Sequence, residues 1–444
     1  MTGAPMYRSG DWRSWGRVVR GPHDIATPAS RAAAAAAFAA AASDGAAVLA
    51  VGLGRSYGDS NLNPGGRLVD MTGVDRFIHF DRQTGVLRAE AGVSLRDILA
   101  VAVPAGHFLP TTPGTQFVTL GGAIANDVHG KNHHAAGAFG RHVRRIGLFR
   151  SDRGLVEAGP DQEAELFQAT IGGLGLTGLI LWAEIALVPI ASSRIEQEVI
   201  PFTRLSEFFD LATESASQFE HTVAWVDCFD PGGRGVFSRG DWAKEGPLVA
   251  RARPPRAAVP VDAPEFLLNR TSISAFNAAY FRKSRWSSGR SLVEYPAFFY
   301  PLDGVAQWNR LYGRRGFYQY QSVVPPGAAL EATAEMLAAI RKSGEGSFLA
   351  VLKTFGEPPS PGLLSFPMPG ATLALDFPNR GAATLALMQR LDAIVSAAGG
   401  RLYAAKDGRL PPAMFRQGYP NLERFIPHLD AACSSLFWKR MFAQ

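Results

Sequence analysis

The stretch that most constrains the fold is residues 110–142, where almost every residue is small, polar or a histidine. Its glycines remove side chains wherever another group must come close to the backbone; they are Gly114, Gly121, Gly122, Gly130, Gly137 and Gly140. Two aliphatic pieces, residues 117–120 and 123–125, are too short to form a core by themselves. Long loops inside compact domains are usually functional, so we predict that this segment forms a wall around a large ligand.

Length and composition indicate a folded chain of more than one domain. Of 444 residues, 47% are hydrophobic and 19% are charged, so a sizeable core can form and global disorder is not expected. The net charge of +6 is compatible with an anionic substrate or with loose contact at an anionic membrane surface. Basic residues form no stripe with interleaved aromatics, so no nucleic-acid partner is expected.

Cysteine usage and hydropathy predict a soluble protein of the cytoplasm. Cys228 and Cys433 are the two cysteines and provide no disulfide framework, which fits a reducing compartment. The N-terminal segment lacks the apolar region of a signal peptide. The longest uncharged alanine run, residues 32–43, is shorter than the roughly 20 residues that a membrane span needs. Peripheral contact at the inner face of the plasma membrane stays open.

Helices and short strands alternate up to about residue 193, which predicts one α+β module. The predicted helices are residues 28–43 with Ser30 as cap, 94–103 and 163–170. The predicted strands are residues 47–51, 68–71, 77–80, 85–91, 144–149, 155–157 and 179–188.

The remainder of the chain also mixes strand and helix patterns. Predicted strands are residues 223–229, 317–324, 348–355 and 401–405, and predicted helices are residues 328–342 and 382–398. The proline- and arginine-rich stretch 244–260 is predicted to be a mobile surface loop.

Two glycine-rich motifs have different contexts. The sequence GLGRSYGD at 52–59 follows a strand, and successive backbone N–H groups in such a turn can bind a phosphate. A tight surface turn is its alternative. The sequence GLGLTG at 173–178 matches G-x-G-x-x-G literally, but a helix precedes it and a strand follows, the reverse of a dinucleotide-binding turn. We interpret it as a sharp helix-to-strand turn that could border a ligand.

Three neighbouring histidines suggest ligand contacts more than a metal site. His129, His133 and His134 have Asp127 as their nearest carboxylate in sequence, and no zinc-binding spacing supports a metal. A histidine in a glycine-walled loop could instead hydrogen-bond a cofactor or a substrate hydroxyl. Lys131, beside His129, could hold a phosphate.

Later polar residues interrupt apolar strands. Strand alternation places Gln319 and Gln321 on one face, where they could orient sugar hydroxyls or simply face solvent. Lys353 ends a strand that reads as buried, where an unpaired lysine is costly. Lys406 is similar, with a salt bridge to Asp407 as its alternative.

Together these residues resemble the FAD-linked oxidase family, whose flavin-binding fold is shared with vanillyl-alcohol oxidase and aldonolactone oxidases. The resemblance rests on GLGRSYGD, on PGTQFVTLGGAIANDVHGKNHH (113–134) and on LYAAKD (402–407), which occur in this order. Within the family, HGKNHH, YQYQ and AAKD are most similar to the decaprenylphosphoryl-β-D-ribose 2-oxidases. The implied fold is α+β, a two-domain FAD-binding (vanillyl-alcohol oxidase/PCMH-type) fold with a β-sheet-based substrate domain. Residues 1–193 would bind FAD, 194–400 would bind substrate, and 401–444 would return to the FAD domain.

The resemblance also implies roles for individual residues. Residues lining FAD would be Gly52, Leu53, Gly54, Arg55, Ser56, Tyr57, Gly58, Asp59, Gly114, Thr119, Leu120, Gly121, Gly122, Asn126, His129, Ile180 and Tyr403. Substrate contacts would be Lys131, Arg310, Gln319, Gln321 and Lys353, and the catalytic candidates are Lys406, first, and His129. Covalent relatives carry a histidine where this chain has Arg55, so FAD is expected to be non-covalent. No metal is expected.

The implied activity is oxidation of the 2-hydroxyl of a polyprenylphosphoryl-β-D-ribose to the 2-keto sugar. This would be the first half of an epimerisation to the arabinose donor for cell-envelope polysaccharide, completed by a separate NAD(P)H-dependent keto-reductase. The alternative is an alditol or aldonolactone oxidase acting on soluble sugars with O₂; a non-enzymatic scaffold is a weaker alternative. Actinobacterial members carry asparagine and cysteine where this chain has Thr372 and Ala374, and a tyrosine where it has Phe299, unless Tyr300 takes that place. These departures leave the lipid length and exact sugar open.

Overall fold

The first part of the chain forms two sheets. The computed structural model describes residues 7–250, 255 and 257–442. A four-stranded sheet has the order Arg8–Arg13, Arg20–Ala26, Arg67–Asp70, Val48–Val51, with its last three strands parallel. A five-stranded antiparallel sheet has the order Phe77–Phe80, Val86–Glu90, Leu179–Ala186, Val143–Arg150, Gly154–Ala158. A short ribbon pairs His107–Phe108 with Val188–Pro189.

The alanine-rich helix Arg31–Ser43 packs against both sheets. Ser30 begins it by accepting a hydrogen bond from the Ala33 N–H, which satisfies a free donor of the first turn. Its buried residues are Ala34, Ala37, Phe38 and Ala41, a 3–4 spacing that puts them on one face. The predicted helices 94–103 and 163–170 are also confirmed, as Leu95–Ala102 and Ala164–Thr170.

Residues 110–142 contain more regular structure than predicted. They include the helices Leu120–Ala125 and His133–Ala136. The aliphatic pieces 117–120 and 123–125 form no core by themselves, but Leu120, Ala123 and Ile124 are fully buried. They pack into the apolar cluster of the N-terminal sheets, so tertiary contacts supply what such short pieces lack.

The second part is built on an eight-stranded antiparallel sheet. Its order is Gly289–Glu294, Arg194–Phe202, Gly235–Trp242, His221–Val226, Ala350–Phe355, Gly370–Pro378, Phe317–Val324, Arg401–Leu402. The α-helices of the same region are Leu205–Ser215, Arg270–Trp286, Tyr295–Phe299, Ala329–Ser343 and Ala382–Ala397. The predictions 317–324, 328–342 and 382–398 are confirmed to within a residue. Strands 194–202, 235–242, 289–294 and 370–378 and helices 205–215 and 270–286 were not predicted.

The last segment joins the two parts. Arg401–Leu402, shorter than the predicted strand 401–405, pairs with Phe317–Val324 at the sheet edge. The helices Pro412–Gly418, Leu422–Phe425 and Leu436–Phe442 follow. Cys433 forms a β-bridge with Val48 of the N-terminal part. The segment therefore contacts both halves of the chain.

Two predictions remain, one on the surface loop 244–260 and one on membrane-spanning helices. Residues 251–254 and 256 of the predicted mobile loop 244–260 lie outside the described residues, while Ala257–Ala258 pairs in parallel with Val305–Ala306. In the described part of the chain, no helix has the length and apolar character needed to cross a membrane.

Candidate functional site

A cavity of about 570 Å³ lies between the N-terminal part and the eight-stranded sheet. Its walls come from the glycine-rich loop after strand Val48–Val51, from residues 113–129, and from the strands carrying Gln319, Lys353 and Thr372. Cavities that hold cofactors are commonly roughly 300–1,000 Å³. The cavity is thus large enough for an organic ligand that touches both halves of the chain.

The glycine-rich loop passes very close to the loop that faces it. A Cβ atom on Gly52 would lie 2.3 Å from Thr119 Oγ1, so a side chain there has no room. Thr119 is fixed because its hydroxyl accepts a hydrogen bond from the Gly122 N–H (3.2 Å) at the start of helix Leu120–Ala125. Gly54 has φ of +63°, a conformation that glycine adopts without strain. These two observations explain why Gly52 and Gly54 are glycines.

The residues of this end fit FAD. Ser60 and Asn61 line the cavity, and their buried hydroxyl and amide atoms have no hydrogen-bond partner among the described residues. Buried polar atoms without partners are costly, so a ligand with its own hydrogen-bonding groups would satisfy them. Arg55 lies at the same end, its guanidinium 4.2 Å from the Trp15 ring centroid. Sugar and phosphate groups of FAD provide the acceptors and donors that these side chains need.

At the other end of the cavity, His129 is at the centre of a hydrogen-bonded cluster. Its Nε2 is 3.1 Å from Gln321 Nε2, and its Nδ1 is 3.3 Å from Lys353 Nζ. Gln321 also donates to Thr372 Oγ1 (3.2 Å). Burial first, and then Lys353, hold the pKa of His129 well below its usual value, so the imidazole is neutral near pH 7.

Lys353 borders the cavity, and in the part of the chain that the structure describes no carboxylate lies at hydrogen-bond distance from it. Its ammonium contacts His129 Nδ1 and the Gly130 carbonyl oxygen (3.4 Å). Burial, and secondarily the charge of Lys406, lower the pKa of Lys353 from 10.5 to about 7. An anionic ligand group would stabilise the charged form.

Lys406 does not pair with Asp407, which was its alternative role. Asp407 is 3.0 Å from Arg409 instead, while the Lys406 Nζ lies 4.0 Å from the Tyr57 ring centroid. Burial lowers the pKa of Lys406 from 10.5 to about 8, and the charge of Asp376 opposes this decrease. An amine in that range can exchange a proton near neutral pH.

Most predicted site residues line the cavity: Gly52, Leu53, Gly54, Arg55, Ser56, Tyr57, Gly114, Thr119, Gly121, Gly122, Asn126, His129, Ile180, Gln319, Gln321, Lys353, Tyr403 and Lys406. Their individual roles stay predictions. Thr372 and Ala374 line it too, as do Leu174, Gly175 and Gly178 of the second glycine motif. That motif is confirmed as a turn between helix Ala164–Thr170 and strand Leu179–Ala186.

Five predicted residues lie away from the cavity lining: Gly58, Asp59, Leu120, Lys131 and Arg310. Asp59 is buried in an ion pair with Arg440, and Leu120 lies in the core. The Lys131 ammonium donates to the Phe298 carbonyl and lies 4.3 Å from the Phe298 ring centroid. Arg310 donates to the Pro260 carbonyl at the surface. Their adjacency to site residues in sequence did not bring these side chains to the cavity wall.

His133, His134 and Phe299 do not belong to the cavity lining. The ring centroids of His133 and Phe355 are 4.4 Å apart, and His134 Nε2 is 2.9 Å from the Phe219 carbonyl oxygen. Within the described residues no group of three or more histidine, cysteine, aspartate or glutamate side chains could hold a metal. Phe299 is buried and stacks on Phe108 at 5.3 Å, so it does not line the cavity.

Ser60, the last residue of the loop 51–60 that the resemblance assigns to the FAD pyrophosphate, lines the cavity, whereas Asn61, Asp303 and Trp308 were missed. Asn61 directly follows that loop, which was the available indication. Asp303 accepts a hydrogen bond from the Gln116 N–H (2.9 Å) across 187 residues. A contact of that sequence separation has no local pattern from which it could be inferred.

Comparison with known proteins gives a consistent result. A family model described as FAD binding domain matches residues 22–159. Decaprenylphosphoryl-beta-D-ribose oxidase of Mycolicibacterium smegmatis is 38% identical over 86% of this chain and 85% of that protein. An uncharacterized protein of Streptomyces coelicolor is 33% identical over 75% of this chain and 94% of that protein. L-gulono-1,4-lactone dehydrogenase of Mycobacterium tuberculosis is 28% identical over 48% of this chain and 49% of its own length.

Four observations indicate the same cofactor, FAD. They are the close approach of Gly52 to Thr119, the buried polar atoms of Ser60 and Asn61, the match to the FAD-binding family model and the similarity to the 38% identical oxidase. The matched segment 22–159 contains both the glycine-rich loop and the loop that faces it. This chain belongs to the FAD-linked oxidase family that includes decaprenylphosphoryl-beta-D-ribose oxidase, and it is an FAD-dependent oxidoreductase.

Proposed function

We propose that this protein oxidises the 2-hydroxyl of a polyprenylphosphoryl-β-D-ribose to the 2-keto sugar. The observation that carries the proposal is the cavity wall formed by Lys353, Lys406, His129, Gln319 and Gln321, in a chain 38% identical to an oxidase of such a lipid-linked ribose. Two amines face the cavity together with neutral hydrogen-bonding groups. That combination suits a ligand with both an anionic group and sugar hydroxyls.

Each side chain has a role set by its charge. Lys353 would bind the phosphoryl oxygens, because an anion restores the charged form that burial disfavours. Gln319 and Gln321 would orient ribose hydroxyls by hydrogen bonds. The neutral His129 ring would fix Lys353 and Gln321, both of which it contacts. Lys131 and Arg310 would bind substrate only after their side chains leave the Phe298 and Pro260 carbonyls.

Lys406 would accept the proton of the hydroxyl that is oxidised. Its pKa of about 8 leaves part of the population neutral at pH 7, and a base matched to the working pH contributes roughly 10²–10⁴ in rate. FAD, when bound, supplies the acceptor for the hydride that leaves the sugar carbon. The protonated Lys406 then remains beside the new carbonyl oxygen and stabilises negative charge there.

The proposal extends to partners and location. A separate NAD(P)H-dependent keto-reductase would complete the epimerisation toward an arabinose donor for cell-envelope polysaccharide. We propose a cytoplasmic protein that contacts the inner face of the plasma membrane, where a polyprenyl substrate is held. The net charge of +6 supports contact with anionic lipid. We also propose that FAD is non-covalent, since Arg55 occupies the loop position of the flavin-linked histidine.

An anaerobic absorbance titration tests the proposal. Purified yellow protein is mixed with a short-chain prenylphosphoryl ribose, with D-xylitol and with an aldonolactone in parallel. Loss of the flavin band with the prenyl sugar alone supports the proposal. Loss with the free polyol or lactone favours the alternative, a soluble-sugar oxidase using O₂.

The variant Lys353→Ala distinguishes a prenylphosphoryl-ribose oxidase from a soluble-sugar oxidase through its effect on substrate affinity. It should raise the apparent KM for the prenyl sugar, because the amine loses its contact with the phosphate. Lys342→Ala is the control, since Lys342 is exposed at the end of helix Ala329–Ser343. An unchanged KM in Lys353→Ala, or a protein that contains no flavin, contradicts the proposal.

A further inference from the structure

A buried carboxylate lies behind the end of the cavity that His129, Lys353 and Lys406 line. Asp376 is on strand Gly370–Pro378, opposite Gln319 on strand Phe317–Val324, and is 1% exposed. Residues two apart on a strand share a face, so Asp376 follows Thr372 and Ala374, which line the cavity. The Gln319 Nε2 donates to Asp376 Oδ1 at 2.7 Å. Asp376 is thus separated from the cavity by one glutamine.

Four further groups interact with Asp376. Its backbone N–H donates to Ser347 Oγ at 3.1 Å. Burial, and after it the charge of Asp376, raises the pKa of Tyr57 on the glycine-rich loop and of Tyr312 on the short helical turn Trp308–Tyr312. Its charge also acts on the amine of Lys406.

The presence of a carboxyl group at this buried position needs an explanation. Burying a carboxylate without a close cation is costly, and burial raises the pKa of Asp376 from 3.8 to about 7. An asparagine could accept the same hydrogen bond from Gln319 without that cost. A negative charge at this point therefore does something that a hydrogen-bond acceptor alone does not.

Lys406 is the group on which that charge can act. The Lys406 Nζ lies 4.0 Å from the Tyr57 ring centroid, and Lys406 lines the same cavity as Lys353 and the neutral His129. Burial disfavours the charged form of Lys406. Asp376 carries the negative charge that opposes this effect of burial.

We propose that Asp376 is a positioning residue that holds the Gln319 amide at the cavity wall and, as a buried counter-charge, keeps Lys406 able to carry the substrate proton. The proposal rests on the proposed role of Lys406. Once the amine has accepted the hydroxyl proton, the nearby carboxylate stabilises the resulting ammonium.

Asp376→Asn is the direct test, because it removes the charge and keeps an oxygen that can accept from Gln319. Anaerobic single-turnover reduction of the bound flavin by a prenylphosphoryl ribose is followed from pH 6 to pH 10. Removal of the negative charge lowers the pKa of Lys406, so the midpoint of the profile should move to lower pH. Asp376→Glu keeps the charge and should retain the parent midpoint.

Asp227→Asn is the matched control. Asp227 is also a buried aspartate on the substrate side of the chain, but it pairs with Arg234 at 2.8 Å, away from the cavity. Its pH profile should coincide with that of the parent. A profile that is unchanged in Asp376→Asn, or shifted equally in Asp227→Asn, overturns the proposal.

A second measurement needs no substrate and so separates this proposal from the proposed function. The holoenzyme is treated with trace acetic anhydride at a series of pH values, and acetylation of Lys406 is quantified by peptide mass spectrometry. The pH at which Lys406 becomes reactive should be lower in Asp376→Asn than in the parent. If no prenyl sugar bleaches the flavin but this shift occurs, the proposed substrate is wrong while the charge coupling stands. An identical reactivity midpoint in parent and variant contradicts the coupling.

Discussion

Replacement of Lys353 by methionine should stabilise the ligand-free fold while it removes substrate affinity. The side chain keeps its length and apolar stem but loses the ammonium that contacts His129 Nδ1 at 3.3 Å and the Gly130 carbonyl oxygen at 3.4 Å. Neither contact provides a negative charge. The buried ammonium therefore destabilises the folded protein when no anionic ligand is bound.

The magnitude follows from proton affinity. The pKa of Lys353 falls from 10.5 to about 7, which corresponds to ~5 kcal/mol against the charged amine, at about 1.4 kcal/mol per tenfold change. Water in the cavity screens the charge, so we discount the effect to ~2 kcal/mol. For a chain of this size, that is a rise of about 2–4 °C in the unfolding temperature.

The direction in which pH changes the stability of the parent follows from proton binding in the folded and unfolded states. Between about pH 7 and pH 10.5 the unfolded lysine holds a proton that the folded one has released. Because the unfolded state binds more protons there, stability of the parent rises with pH across this window. At low pH the amine is charged in both states and the full cost remains. The methionine variant lacks this contribution, so its advantage is large at pH 7 and disappears near pH 10.

Thermal unfolding at pH 7 and pH 10, followed by circular dichroism, measures both effects. Lys342→Met, an exposed lysine on helix Ala329–Ser343, is the control and should change the unfolding temperature little at either pH. A Lys353→Met protein that is less stable than the parent at pH 7 would refute the reasoning. So would a stability difference that is the same at both pH values.

Three other outcomes follow from the site. Lys406→Met should lower the rate of flavin reduction by roughly 10²–10⁴ with unchanged flavin content, as measured by stopped-flow absorbance. Gly52→Ala should lose flavin, because its Cβ would lie 2.3 Å from Thr119 Oγ1; the ratio of flavin to protein absorbance measures this. Acid precipitation of the parent should leave the flavin in the supernatant, because Arg55 cannot form the histidine-type linkage, and a yellow pellet would contradict that.

Local chemistry made the cofactor end of the site predictable. Close packing of Gly52 against Thr119 requires glycine, and a loop composed of such residues is visible without a structure. The Ser30 cap and the high helix propensity of alanine likewise predict helix Arg31–Ser43. In each case the residues from which the feature was predicted are neighbours in the sequence.

Features that depend on distant pairing were not predictable. Asp376 meets Gln319 across 57 residues, and only the strand register places one behind the other. Helix Arg270–Trp286 was missed because its buried stripe, Ile273, Asn277, Phe281 and Ser284, is half polar and resembles an irregular segment. Lys131 follows a site histidine by two residues, yet its ammonium contacts Phe298.

The return of the last segment has a consequence for the order of assembly. Tyr403 and Lys406 form part of the cavity wall, and the Leu436 N–H donates to the Leu62 carbonyl oxygen at 2.6 Å, beside the glycine-rich loop. During synthesis this part of the wall is absent until the residues after 401 have left the ribosome. We therefore expect that pulse-labelled chains halted before residue 401 do not retain FAD.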